Sequence, residues 1–363
     1  MKCELSQILC QAPSADAPPV ALAPLWPRRD WVQAGLQLAA TLRQRSVRRV
    51  ALWCDDAAWF ACGLVAAWQA DADVLLLPDV TAASVAWAEA EADLCLCSDA
   101  IATRLPVISL PETVVTTPVQ AASGPINPAR QVWLKTSGSS GQPKVIVKTV
   151  AQLAAETAAI QAQWPLLPDQ AVVMGSVSPQ HLYGLSFRII WPLCHGLPML
   201  REQCVYPEQL LAHSQSLPQP VVWVTSPTVL AALAQRTDWP LAAGKLKQIL
   251  SSGGALPEAV SHTITQLSGI CPDEVYGSSE TGVIATRQGA AWWQPFAGAR
   301  MGMATDGALQ ITAPWTEGLQ QTADAAELVG EGFRLHGRLD RIVKLADKRV
   351  SLPLVEHTLT QHE

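Results

Sequence analysis

At 363 residues the chain is long enough for about two to three folding units and a large core that needs no disulfide or structural metal. Its formal charge of -6, from 25 Lys and Arg against 31 Asp and Glu, argues against DNA or RNA as the main partner, since such proteins carry a basic stripe. With 49% hydrophobic and 15% charged residues the chain is not disordered, and no apolar run approaches the roughly 20 residues of a membrane span.

The start, Met1-Lys2-Cys3-Glu4, opens no apolar signal region, so a cytoplasmic location without a membrane partner is expected. The nine cysteines include no C-x-x-C pair and match no zinc spacing, and they read as buried, reduced thiols. Residues 1–25 are rich in Pro and Ala and read as an irregular lead-in. From Trp31 the positions Val32, Leu36, Leu38, Ala39 and Leu42 follow helical spacing. A strand over 47–53, a helix over 55–69, a strand over 73–77, a helix over 84–91 and strands over 94–97 and 107–110 follow. This alternation predicts a doubly wound α/β unit over 26–130, its parallel sheet covered by helices on both faces. Its end, 111–130, is Pro-rich and reads as a linker.

A second α/β unit over 131–285 repeats the pattern. Strands are expected at 132–135, 172–175, 221–225, 248–251 and 274–276, with helices at 150–163, 184–193, 227–235 and 257–267. Over 286–337 short strands at 307–312 and 332–335 are punctuated by Gly and Asp, the mark of a small β-rich unit. After Gly337 the chain turns polar, and a helix is expected to begin between Val350 and Leu354.

Three segments carry chemistry. Lys135-Thr136-Ser137-Gly138-Ser139-Ser140-Gly141-Gln142-Pro143-Lys144 sets four hydroxyls, two glycines and a closing lysine after an apolar strand. Glycines let backbone N–H groups approach an anion, while hydroxyls and the ammonium add donors, which suits a phosphate cradle. Pro143 breaks Walker A spacing, and a merely flexible Ser/Gly linker would not require the flanking strand or the Pro-Lys ending. Tyr276-Gly277-Ser278-Ser279-Glu280-Thr281-Gly282 brings an aromatic ring, hydroxyls and a carboxylate to a strand end, where open α/β sheets bind ligands. Glu280 is a hard oxygen ligand suited to Mg²⁺ beside phosphates. The third segment is Thr322-Ala323-Asp324 with Gly337-Arg338-Leu339-Asp340. Alone, such residues are ordinary caps and surface ion pairs.

In their order and spacing the three segments resemble the adenylate-forming superfamily: acyl- and aryl-CoA synthetases, carrier-protein ligases, amino-acid-activating adenylation domains and luciferases. The resemblance spans about residues 26–363. It implies two doubly wound sheet subdomains, a small distorted β-barrel and a C-terminal lid largely absent here, with 338–363 its hinge and start. It also implies activation of a carboxylic acid with ATP as an acyl-adenylate, then transfer to the thiol of CoA or an acyl carrier protein. Residue by residue, Thr136, Ser137, Gly138, Ser139, Ser140, Gly141 and Lys144 would enclose the β- and γ-phosphates. Ser252-Gly253-Gly254-Ala255 would flank the adenine, with Tyr276 and Gly277 against the base. Ser279 would touch the α-phosphate, Glu280 would hold Mg²⁺, and Asp324, helped by Arg338, would accept the ribose hydroxyls. Asp340 matches the hinge, and His181 in Ser178-Pro179-Gln180-His181 matches a gate of the acyl pocket; Lys144, His181 and Glu280 would form the catalytic set.

Some positions depart from the family pattern. Val145 replaces the Gly after Pro-Lys, Ala323 the middle Gly of Thr-Gly-Asp, and Asp347 the Gly before Lys348-Arg349-Val350. The Pro-x-x-x-x-Gly-Lys segment that holds the family's lid lysine does not occur, so the resemblance implies that these 363 residues alone bind an acyl-adenylate but turn over poorly. No acidic residue lies between 178 and 191 to pair a substrate ammonium, which points to an amine-free acid. Tyr183, Trp191 and Trp223 would line a flat pocket for an aromatic or arylalkenoic acid, with a medium-chain fatty acid as the alternative. A rival from another class is a non-catalytic protein that senses nucleotide or acyl-adenylate. The run Arg43, Arg45, Arg48 and Arg49 reads as a solvated helix end, or as a dock for an acidic carrier protein. His195, His213, His262, His336, His357 and His362 show no ligand spacing.

Overall fold

A computed structural model describes residues 3–10, 13–14, 16–98, 101–110, 124–137, 143–165, 171–236, 239, 244–289, 291–340, 342–345 and 348–351. The first sheet has six strands in the order Val107–Ser109, Leu94–Cys97, Arg49–Trp53, Asp73–Leu76, Gln131–Ser137, Pro143–Thr149. All pair parallel except the last, which folds back antiparallel on Gln131–Ser137. Val50-Ala51-Leu52 and Val74-Leu75-Leu76 are apolar at every position, as strands covered on both faces must be. The second sheet has eight strands in the order Ala21–Leu22, Met199–Leu200, Val172–Gly175, Val221–Thr225, Leu246–Ser251, Asp273–Ser278, Gly282–Gln288, Gln294–Pro295.

The helix Ala57–Gln69 is apolar all round and buried along its whole length. It touches strands of the first sheet and Met199–Leu200 of the second, so both sheets share one layer. Asp56 caps it, accepting from the Ala58 and Trp59 N–H groups at 2.9 and 3.0 Å, and pairs with Arg201 at 2.6 Å. The neighbouring helix Arg28–Gln44 buries Trp31, Leu36, Leu38, Ala39 and Leu42, with Asp30 in its first turn and Arg43 in its last, as the helix dipole favours. None of the nine cysteines is in a disulfide; six are buried, while Cys3, Cys10 and Cys271 are half-buried. Among the described residues no helix is long and apolar enough to cross a membrane.

Several elements differ from the sequence-based expectation. The lead-in is not wholly irregular: Ala21–Leu22 adds a parallel edge strand beside Met199–Leu200, and the Cys3 N–H donates to the Cys194 carbonyl at 2.8 Å. The strand Pro143–Thr149 was hidden by its opening proline, which edge strands tolerate. The helix Pro207–Ser216 was missed as well. The β-rich unit is a four-stranded antiparallel sheet, Arg300–Met303, Ala308–Thr312, Gln320–Val329 and Gly332–Arg338. Its ten-residue third strand, mostly half-buried, lacks the period-2 contrast that announces strands. Val350 belongs to a hairpin, Ile342–Leu345 with Lys348–Ser351, and not to a helix start. The helix expected from Leu354, and residues 111–123 of the expected linker, lie outside the described residues.

Candidate active site

The strand Asp273–Ser278 ends at a tight hairpin to Gly282–Gln288, and the site is arranged around that end. Tyr276 packs edgewise on Phe333, ring centroids 5.6 Å apart, and lies 5.5 Å from Trp293. Its hydroxyl donates to Asp324 Oδ2 at 2.6 Å. Burial and the adjacent Asp324 carboxylate push the phenol pKa up, so it stays a donor. Asp324 sits opposite Arg338 in the pairing of Gln320–Val329 with Gly332–Arg338, and Arg338 Nη1 reaches Asp324 Oδ1 at 3.3 Å. The same guanidinium forks onto Asp340 at 2.8 and 2.5 Å, so the expected hinge residue is tied to the Tyr276–Asp324 side of the site.

Two residues past the end of the strand, Glu280 carries its carboxylate toward the first sheet. There Lys144 Nζ approaches Glu280 Oε1 at 3.9 Å. The two expected phosphate-side residues thus meet across a sheet boundary. Thr136, opposite Lys144 in the hairpin, donates its hydroxyl to the Lys144 carbonyl at 3.3 Å. Gly138, Ser139, Ser140 and Gly141 lie outside the described residues, as does the side chain of Ser137. Ser278 and Thr281 close the turn by mutual hydroxyl and N–H bonds of 3.0 to 3.2 Å, leaving Ser279 half-buried at its tip. Ser252 donates to the Val275 carbonyl at 2.7 Å, which fixes the start of the exposed Gly253-Gly254-Ala255 segment beside Tyr276's strand.

On the acyl side, the helical segment 182–195 widens into a π-helix over Leu185–Ile190, a winding that recurs at functional sites. His181 stands at its exposed start; desolvation lowers its pKa and Asp79 opposes the shift. Arg188 is fully buried and committed, donating to the Val177 carbonyl at 2.6 Å and the Glu202 carbonyl at 3.1 Å. The expected three-aromatic pocket is not assembled. Tyr183 and Trp191 share a ring cluster with Phe187, whereas Trp223 lies in a separate core cluster and donates to Ser214. Alternation explains it: Trp223 faces the same side of its strand as Val221, and Val222 and Val224 face the Trp191 side.

The sequence profile of the AMP-binding enzyme family matches residues 29–308. The chain belongs to the AMP-binding enzyme family. Among its relatives, a 4-coumarate–CoA ligase from Rhodobacter capsulatus is 29% identical over 235 residues, 63% of this chain and 57% of the relative. The chain therefore matches little more than half the length of that curated relative. A malonyl-CoA ligase in a product complex with methylmalonyl-CoA and AMP superposes with a TM-score of 0.80 at 20% identity, covering 98% of this chain and 86% of the other. An o-succinylbenzoate CoA synthetase from Bacillus subtilis gives 0.81 at 15% identity, covering 100% and 84%. An amide bond synthetase from Marinactinospora thermotolerans gives 0.79 at 17%, covering 99% and 84%. At these identities the likeness establishes the fold.

In this AMP-binding enzyme the donor set fits Mg²⁺ only as a shared ligand. Glu280 offers one carboxylate with 29% of its side chain exposed, and no cluster of three His, Cys, Asp or Glu exists among the described residues. A Mg²⁺ at Glu280 would have to complete its shell with water and substrate phosphates. Two residues near Glu280 escaped the sequence reading, Lys148 and Glu156, both buried. Lys148 donates to the Glu280 carbonyl at 2.7 Å and to the Trp315 carbonyl at 3.3 Å. A signal was present: Lys148 shares a strand face with buried Ile146, an anomalous place for a lysine.

Proposed function

We propose that this AMP-binding enzyme activates a small carboxylic acid with ATP and passes the acyl group to the thiol of CoA or an acyl carrier protein. One observation carries the reading: a single strand end, 276–280, joins a ribose-type site at Asp324 and Arg338 to a phosphate-type site at Lys144 and Glu280. In the first step a substrate carboxylate oxygen attacks the α-phosphorus, and the bond to the β-phosphate breaks to release pyrophosphate. In the second, a thiolate attacks the acyl carbon and AMP leaves.

The chain's own groups divide the work. Asp324 accepts the ribose hydroxyls while Tyr276 and Arg338 hold its carboxylate in place. The segment Gly253-Gly254-Ala255 and the Tyr276-Gly277 edge flank the base. Ser279 meets the α-phosphate, and Lys144, with the hydroxyls and N–H groups of 136–141, meets the β- and γ-phosphates. Mg²⁺ held at Glu280 would neutralise phosphate charge. His181 gates the acyl side.

The acid lacks an α-amine, because 178–191 offers no carboxylate to pair an ammonium. The name of the Rhodobacter relative supports an aromatic or arylalkenoic acid, with a medium-chain fatty acid as the alternative. Nine cysteines without a disulfide support a reducing compartment such as the cytoplasm. The test is ATP–pyrophosphate exchange across a panel of acids. Exchange is expected to be fastest with arylalkenoic acids, with AMP as the nucleotide product. Fastest exchange with a free amino acid, or ADP as product, would overturn the reading.

A further inference from the structure

The turn that carries Glu280 is gripped from below by three side chains that belong to other parts of the molecule. Lys148, on the first sheet, donates to the Glu280 carbonyl at 2.7 Å and to the Trp315 carbonyl at 3.3 Å. Glu156, on the helix Val150–Gln163, accepts the Val283 N–H at 3.0 Å and the Ser186 hydroxyl at 3.4 Å. The Trp315 indole donates to the Val283 carbonyl at 2.9 Å. Between these grips lies Gly282, at φ +70°, where an added Cβ would stand 2.9 Å from Trp315 Cδ1 and 3.1 Å from the Glu156 carboxyl. No side chain fits there.

Lys148, Glu156 and Trp315 are all buried, with relative exposures of 2%, 2% and 1%. Burying an ammonium and a carboxylate is expensive unless their hydrogen bonds are met, and a non-polar residue would stabilise the fold as well or better. Both charges are spent instead on the main chain of four residues, 280–283, which bear the carboxylate that faces Lys144. Lys144 and Lys148 lie on one strand, Pro143–Thr149, so that strand holds Glu280 at both its carboxylate and its carbonyl.

We propose that Lys148, Glu156 and Trp315 form a positioning clamp that fixes the Glu280 carboxylate for Mg²⁺-bound phosphates, with Lys148 its principal member. The proposal rests on the reading of Glu280 as the Mg²⁺ ligand. A group on which a metal depends indirectly typically changes its affinity by about ten- to a hundredfold. Among the described residues the hydrogen bonds of Lys148, Glu156 and Trp315 do not reach Tyr276, Asp324 or Arg338, so the nucleoside end of the site should bind independently of the clamp.

The experiment is titration of ATP with Mg²⁺, and of AMP with EDTA, into the wild-type chain and Lys148→Met, Lys148→Arg and Trp315→Phe, read by calorimetry beside circular dichroism. Lys148→Met is expected to weaken Mg·ATP binding and raise the Mg²⁺ concentration for half-saturation by about tenfold, with AMP binding within about twofold of wild type. Lys148→Arg, which keeps a buried cationic donor, should restore most of the loss. If Lys148→Met does not fold, Trp315→Phe is expected to show the same Mg²⁺-selective loss in smaller measure. Folded variants whose Mg²⁺ dependence matches wild type, or whose AMP and Mg·ATP affinities fall equally, overturn the clamp. A wild-type chain whose ATP affinity ignores Mg²⁺ would instead overturn the assignment of Glu280, and the clamp's purpose with it.

Discussion

Tyr276 donates its hydroxyl to Asp324 across 2.6 Å, joining the last parallel strand of the large sheet to the longest strand of the small one. The bond aims the Asp324 carboxyl from a rigid backing, since the Tyr276 ring packs against both Trp293 and Phe333, which stack on each other. Asp324→Ala is expected to weaken ATP and AMP binding by about 1.5 to 3 kcal/mol, the scale of hydrogen bonds to a charged group. Calorimetry with ATP and 2′,3′-dideoxy-ATP checks it. Equal affinity for the two nucleotides in the wild-type chain would remove the ribose assignment.

Lys144 and Glu280 meet at 3.9 Å with side chains 62% and 29% exposed. A pair so open to water contributes at most about 1 kcal/mol to stability, so its placement has to be explained by what it faces. Glu280→Gln is therefore expected to leave the melting temperature nearly unchanged while lowering pyrophosphate exchange by about a hundredfold, as loss of one preorganised charge-stabilising group does. Unaltered exchange in a folded Glu280→Gln variant would contradict the metal role.

The residues of the candidate site could be singled out because they cluster in sequence: 135–144, 276–282 and 322–324 with 337–340 each gather several unusual groups in one short run. The alternation of apolar strands and helices likewise exposed two largely parallel sheets, but it set their border at residue 131, whereas Gln131–Ser137 pairs with Asp73–Leu76 in the first sheet. What stayed hidden is carried by single residues acting across long separations. Lys148 and Glu280 are 132 residues apart, and Glu156 and Val283 are 127 apart. Neither Lys148 nor Glu156 sits in a motif, and burial of a charge becomes visible only once the sheets are brought together. Trp223 failed for the opposite reason: its residue type suited an aromatic pocket, but strand alternation sends it to the far face.

Glu156 also supplies a pH signature. Desolvation raises its pKa above the ordinary value of 4.5, opposed by the Val283 N–H, Lys148 and Ser186. A carboxyl with a raised pKa in the folded state binds more protons there than in the unfolded chain. Its contribution to stability is present below pH 4.5 and is lost as pH rises through the folded-state pKa. Buried Asp273 shifts in the same direction and remains in both proteins. Denaturant unfolding of Glu156→Gln across that window is expected to give a flatter stability curve than wild type. Parallel curves would show that Glu156 does not titrate as its burial demands.

Gly277 tests whether the hairpin itself positions the site. An added Cβ there would stand 2.2 Å from the Gly282 carbonyl oxygen and 3.1 Å from Val283 Cα, both backbone atoms that no rotamer change can move. Gly277→Ala must therefore push apart the two strands that flank Glu280, at the point where their register already shifts. Overpacking of this kind costs about 1 to 3 kcal/mol, and it should also weaken Mg·ATP binding because the displaced segment carries Glu280. Gly269→Ala is the control: its φ of +74° makes a side chain strained, yet nothing lies within 4 Å and it ends the helix Glu258–Ser268 away from the site. It should cost about 1 kcal/mol of stability with no change in nucleotide affinity. Thermal melts and calorimetry on both variants separate the two effects. If Gly277→Ala loses stability but binds Mg·ATP as tightly as Gly269→Ala does, the hairpin is a structural element only and Glu280 does not depend on its geometry.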